Sequence, residues 1–101
     1  MNWSEEQIES VWRKASPMQG NDPAHWRKDR CGAWIDRKQY GNRQSQYGWE
    51  IDHMNPNGGD GFANLQPLHW ENNAAKSDGP HTCAVTASGV NNVRAGQSVT
   101  R

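Results

Sequence analysis

The sequence predicts a small single domain of the α+β class. Three observations carry that expectation. An apolar stripe at helical spacing lies near the N-terminus. An alternating stretch at 48–53 leads through a glycine-rich loop to a second extended piece and a short helix. The length of 101 residues leaves room for one core and not two. Only 33% of the residues are hydrophobic and six are Trp against one Phe, so the core is small and largely aromatic.

The elements follow in order. Ser4 with Gln7 three residues on forms a capping box, and Ile8, Val11, Trp12 and Ala15 recur at i, i+3, i+4 and i+7. That is an amphipathic helix over 4–15 whose task is to cover the core. Glu5 and Glu6 in its first turn and Arg13 and Lys14 in its last suit the helix dipole, and Ser16 with Pro17 ends it. Gln19 to Pro23 is a loop, and Ala33, Trp34 and Ile35 form a short strand closed by Tyr40 and Gly41. From Gly48 to His53 apolar and acidic residues alternate, placing Trp49 and Ile51 on one face of a strand and Glu50 and Asp52 on the other. Asn55 to Gly61 holds three glycines and a proline, which forbid regular structure. Leu65 to Leu68 is then extended, and Trp70 to Ser77 is a short helix stopped by Gly79 and Pro80. Beyond Thr82 neither period is present. The domain is therefore expected over 1–83, with a flexible tail over 84–101.

Composition excludes several classes. No run of 18 apolar residues and no basic-then-apolar leader is present, so neither a membrane partner nor Sec export is expected. Cys31 and Cys83 stand far from any CxxC spacing, which reads as neither a zinc ribbon nor a disulfide framework and favours a reducing cytoplasm. The net charge is zero, yet it is segregated. Residues 26–48 carry Arg27, Lys28, Arg30, Arg37, Lys38 and Arg43 against two acids, for +4, whereas 49–78 carry five acids against Lys76, for −4. A basic strip suited to phosphates precedes an acidic strip suited to a cation.

Chemistry concentrates at Asp52 and His53 at the strand end, Asn64 after the glycine loop and Asn73 in the short helix. A carboxylate and an amide oxygen are hard ligands for a Mg2+-like ion, and a His that titrates near neutrality can take a proton from water. Together they describe metal-assisted hydrolysis with a separate base. Adjacent strand residues face opposite ways, so Asp52 and His53 share a site only if the chain turns at His53.

The stretch Trp49 to Asp78, WEIDHMNPNGGDGFANLQPLHWENNAAKSD, resembles an HNH nuclease of the ββα-metal class. The markers are Asp-His followed by Pro56, the Gly58-Gly59 pair, Asn64-Leu65 eleven residues after His53, Asn73 nine residues after Asn64, and Lys76 three further on. The resemblance implies a ββα-metal (HNH) core over 48–79. It implies His53 as general base, Asp52 and Asn73 as metal ligands, and Asn64 as the brace that holds the loop and the base. One divalent ion would stabilise the leaving 3′ oxygen, giving 5′ phosphate and 3′ hydroxyl ends. Asn73 stands where many members have His, which favours Mg2+ or Mn2+ over Zn2+ or Ni2+. The zinc-binding CxxC pairs of many members are missing, so Trp packing is expected to hold the domain instead.

Other residues admit two readings. Glu50 either orients a basic side chain near the scissile phosphate or forms a surface salt bridge, and Lys76 either contacts phosphate or sits on a solvated helix face. Arg37, Lys38 and Arg43, with the rest of the basic strip, are candidates to follow a nucleic-acid backbone. His69 has metal-like spacing to Asn73, but a helix-start or core role is expected, and packing is the expected role of Trp34, Trp49 and Trp70 ahead of base stacking. His25 and His81 are given no role. The expected function is a DNA endonuclease. The alternatives are a non-catalytic nucleic-acid-binding module of the same fold or an RNA-cleaving, toxin-type nuclease. A single ββα unit offers one active site, so cutting both strands calls for a homodimer or two events, and no dimer face is legible.

Overall fold

The fold is mixed α+β, and its middle layer is an antiparallel pair flanked by two helices. A computed structural model describes residues 2–76 and 82–96. Helix α1, Glu5–Trp12, begins at Ser4 with the expected reciprocal capping box to Gln7 and buries Ile8, Val11 and Trp12. It stops at Trp12, three residues earlier than its apolar period suggests, because Ala15 is buried from the segment that follows the helix.

Strands β1 (Ser16–Pro17), β2 (Trp26–Lys28) and β3 (Trp34–Asp36) form a small antiparallel sheet in that order. Strands β4 (Trp49–His53) and β5 (Leu65–His69) pair antiparallel, from Trp49 opposite His69 to His53 opposite Leu65. Helix α2, Trp70–Lys76, follows β5 directly. The expected stop at Gly79 and Pro80 lies outside the described residues, as do Ser77, Asp78 and His81.

The alternation in β4 sorts its side chains as expected. Trp49 and Ile51 join Ile8, Val11, Trp12, Ala15, Ile35 and Leu65 in one buried cluster, with the Trp12 and Trp49 rings 5.3 Å apart and Tyr40 edge-on to Trp49 at 5.0 Å. Glu50 and Asp52 face α2, where Asn73 and Lys76 meet them.

Two expectations fail at the C-terminal side. Val85–Ser88 and Asn91–Arg94 are strands β6 and β7 of a hairpin, so 85–94 is not a flexible tail. Gly89 opens its two-residue turn at φ 63°, a left-handed conformation that glycine adopts without strain. The hairpin is held by polar bonds that leave no hydrophobic period to read. Asn92 bonds both backbone groups of Trp34, and the Trp34 indole donates to Gly89 O. The end of the expected tail, 97–101, lies outside the described residues.

The second correction concerns the cysteines. Cys31 and Cys83 form a disulfide across 52 residues of sequence, so Trp packing does not hold the domain alone and the premise for a reducing compartment is gone. Their spacing gave no sign of this because the pairing is made by tertiary contact, between the turn that precedes β3 and the segment that enters β6.

Candidate active site

The site is assembled on β4, the loop after it, and α2. Asp52 is 8% exposed. Its Oδ2 accepts from Gln66 Nε2 at 2.7 Å, and its Oδ1 lies 3.4 Å from the Lys76 ammonium, which also donates to His53 O at 2.9 Å. One turn back, Glu50 is gripped by the Arg43 guanidinium at 2.6 and 2.9 Å, and Asn73 Nδ2 donates to its Oε1 at 2.8 Å. Burial pushes the Glu50 carboxyl up, but the bonds from Arg43 and Asn73 outweigh it and hold the group below the usual carboxylate range.

Glu50 is ionised and can only accept, so Asn73 must turn its amide nitrogen toward it, which leaves the Asn73 carbonyl oxygen without a bond to any described residue. Asp52 and Asn73 both lie on the α2 side of β4, where Gln66 and the Lys76 ammonium already engage the two Asp52 oxygens. A carboxylate and an amide oxygen are the donor types a small hard cation takes, and here such an ion would have to displace Lys76 from Asp52. Among the described residues no three His, Cys, Asp or Glu side chains gather into a group that could hold a metal ion.

His53 does not share the Asp52 face. The ladder continues through the His53–Leu65 pair, so the chain does not turn at His53 as a shared site required; the loop begins one residue later, at Met54. The imidazole lies on the side of Trp3, 5.9 Å between ring centres, and its Nε2 bonds Asp60 Oδ1 at 2.6 Å. Asp52 thus faces α2 and His53 faces Trp3 and Asp60, on opposite sides of the strand end.

Asn64 ties the two sides of the glycine loop together. Its Oδ1 accepts from Asn55 N at 2.9 Å, and its Nδ2 donates to Asn55 O and Gly59 O at 2.9 and 2.8 Å. Its backbone carbonyl accepts from Met54 N at 2.7 Å, which fixes the residue next to His53.

The other candidates scatter. Arg43 pairs with Glu50, the salt bridge that was one of the two readings of Glu50. Arg37 instead pairs with Glu5 and Glu9 on α1, and Lys38 is exposed on the turn Arg37–Gln39 with no side-chain partner among the described residues. His69 is fully buried: its Nδ1 accepts from Glu71 N at the start of α2, and its Nε2 meets Gln46 O. Trp49 is fully buried and Trp34 and Trp70 are half-buried.

Sequence reasoning missed Asp60, Gln66 and Asn72. Asp60 stands between Gly59 and Gly61, and a lone carboxylate in a loop otherwise built for turning was the available signal. Gln66 lies opposite Asp52 in the ladder, a contact that only register reveals. Asn72 is buried and bonds Asp29 Oδ2 and the backbone of Ala84 and Val85, tying α2 to the turn before β3 and to the hairpin.

The chain matches no family model, no curated protein and no solved structure.

Proposed function

We propose that the chain is a metal-dependent HNH endonuclease that hydrolyses phosphodiester bonds in DNA. One observation carries this reading: the spaced residues of the motif fall on a strand, a braced loop, a second strand and a helix, in that order, with Asp52 and Asn73 on the same side of the strand. Asp52 and Asn73 would hold one divalent ion, Mg2+ or Mn2+ ahead of Zn2+ or Ni2+, which when bound supplies Lewis-acid stabilisation of charge on the leaving 3′ oxygen.

His53 acts as the base. The Asp60 carboxylate accepts from Nε2 and so keeps the proton there, which leaves the Nδ1 lone pair to take a proton from the attacking water. Water attacks phosphorus opposite the 3′ oxygen, the 3′ O–P bond breaks, and the products are a 5′ phosphate and a 3′ hydroxyl. Arg43 and Lys76 offset the charge of Glu50 and Asp52 beside the site.

The disulfide moves the expected setting from the cytoplasm to an oxidising one, where such bonds form and persist. No helix among the described residues is long and apolar enough to cross a membrane.

The test is cleavage of supercoiled plasmid by purified protein with Mg2+, Mn2+, Zn2+ or EDTA, beside His53→Ala. Metal-dependent nicking that His53→Ala abolishes supports the reading. DNA binding without cleavage under any ion overturns it in favour of a non-catalytic module, and faster digestion of RNA overturns the choice of DNA.

A further inference from the structure

We infer that the cleft between β2 and β5, edged by Lys14, Lys28 and Arg30, receives the phosphodiester backbone of the DNA strand as it reaches the site. This rests on the nuclease reading and names the residues that hold its substrate.

The argument begins with a census of cations among the described residues. Arg13, Arg37, Arg43 and Arg94 are paired with glutamates and Lys76 with Asp52. Arg27 spends its guanidinium on the carbonyls of Arg13, Ala15 and Pro23. Lys28, Arg30 and Lys38 make no ion pair with a described residue, and two of these three line one cleft of about 230 Å³. Lys14 lines it too, its ammonium held by the carbonyls of Phe62 and Leu65 and so not neutralised by any carboxylate.

Among the described residues the one acid in the cleft wall is Asp29, which is 3% exposed. Its two oxygens are occupied by the N–H groups of Cys31, Ala33 and His69 and by Asn72 Nδ2, so its charge is turned into the fold. Lys14, Lys28 and Arg30 thus line the cleft with no carboxylate partner among the described residues. The same Asp29 bonds, with the disulfide at Cys31, anchor the turn that presents Arg30. The Lys28 ammonium rests 4.8 Å over the Trp34 ring, a weak contact at a partly exposed position that a phosphate can replace.

The cleft also leads to the chemistry. Gln66 lines it and donates to Asp52, and Met54 lines it immediately after His53. A strand lying along Lys28 and Arg30 therefore passes Gln66, which bonds Asp52, and Met54, the neighbour of His53. The strongly basic sequence strip is thus reduced by tertiary pairing to a short track.

The test is the affinity of a fluorescein-labelled duplex DNA, measured by anisotropy in EDTA across a salt series. Lys28→Gln/Arg30→Gln is compared with Arg13→Gln/Arg94→Gln, which removes the same charge away from the cleft. The cleft predicts that the first pair weakens binding about ten-fold or more and lowers the salt slope by about 2, while the second leaves the slope unchanged. Equal losses in both pairs overturn the cleft as a site, because net charge alone then explains them. Unchanged binding in the first pair, with wild-type cleavage intact, overturns the cleft and leaves the nuclease standing. A wild type that cuts no DNA overturns the nuclease reading separately.

Discussion

Asp60 decides which nitrogen of His53 is free. In the proposed mechanism the Asp60 carboxylate accepts from Nε2, which leaves the Nδ1 lone pair for the proton of water. Asp60→Ala should therefore lower kcat about 10- to 100-fold by losing orientation. Asp60→Asn should be worse, because the amide can donate to Nε2 and shift the proton to Nδ1, the wrong tautomer for a base. Single-turnover cleavage with a parallel melting curve checks this; Asp60 is more than half exposed, so the melting temperature should not move. His69 carries a different prediction. Burial pushes its imidazole below its ordinary value of about 6.5, with the Gln46 carbonyl and nearby acids opposing only in part. The folded state thus disfavours the proton that the unfolded state accepts. Its contribution to stability is complete above pH of about 6.5 and is lost as pH falls through the lower folded value. Melting temperature should decline across that acidic window, and His69→Gln should flatten the decline.

At the scale of elements, the glycine loop is held chiefly by one side chain. Asn64 makes three side-chain hydrogen bonds across it, each worth about 1 kcal/mol, so Asn64→Ala should cost about 1–3 kcal/mol in urea denaturation and lower the cleavage rate as well. Gly58→Ala should reproduce part of that effect. A Cβ there would meet Asn64 Nδ2 at 2.8 Å and displace the same brace. Helix α1 works through packing instead. Trp12 lies fully buried against Trp49, so Trp12→Ala should cost about 3–5 kcal/mol and is best read by chemical denaturation.

For the whole molecule, polar and covalent ties do what a small apolar core cannot. Buried Asp29 and Asn72 join the turn before β3, the start of α2 and the entry to β6, and the disulfide crosses the same junction. Cys31→Ser/Cys83→Ser should lose about 2–4 kcal/mol, because the bond closes a loop of about 50 residues in the unfolded chain. A reducing agent should lower the melting temperature of the wild type and leave that of the double variant where it is. Since Asn72 precedes Asn73 on α2, the proposed metal-dependent cleavage by the reduced protein should need more Mg2+, read as a higher half-saturating level.

The sequence by itself determined the parts whose cause is local. The Ser4 and Gln7 cap, the helical stripe to Trp12, the alternation over β4 and the glycine loop are each set by neighbours within a few residues, and each is present. The burial of His69 at the start of α2 was legible for the same reason. Only the tertiary structure decided the rest. Asp60 meets His53 because a loop folds back, Gln66 meets Asp52 through strand register, and Cys31 meets Cys83 across 52 residues. The C-terminal hairpin is ordered by bonds from Asn92 to a strand 58 residues away, not by a hydrophobic period of its own. The basic strip is the clearest case. Charge can be counted along a chain, but which charges remain free depends on the partners that folding brings to them.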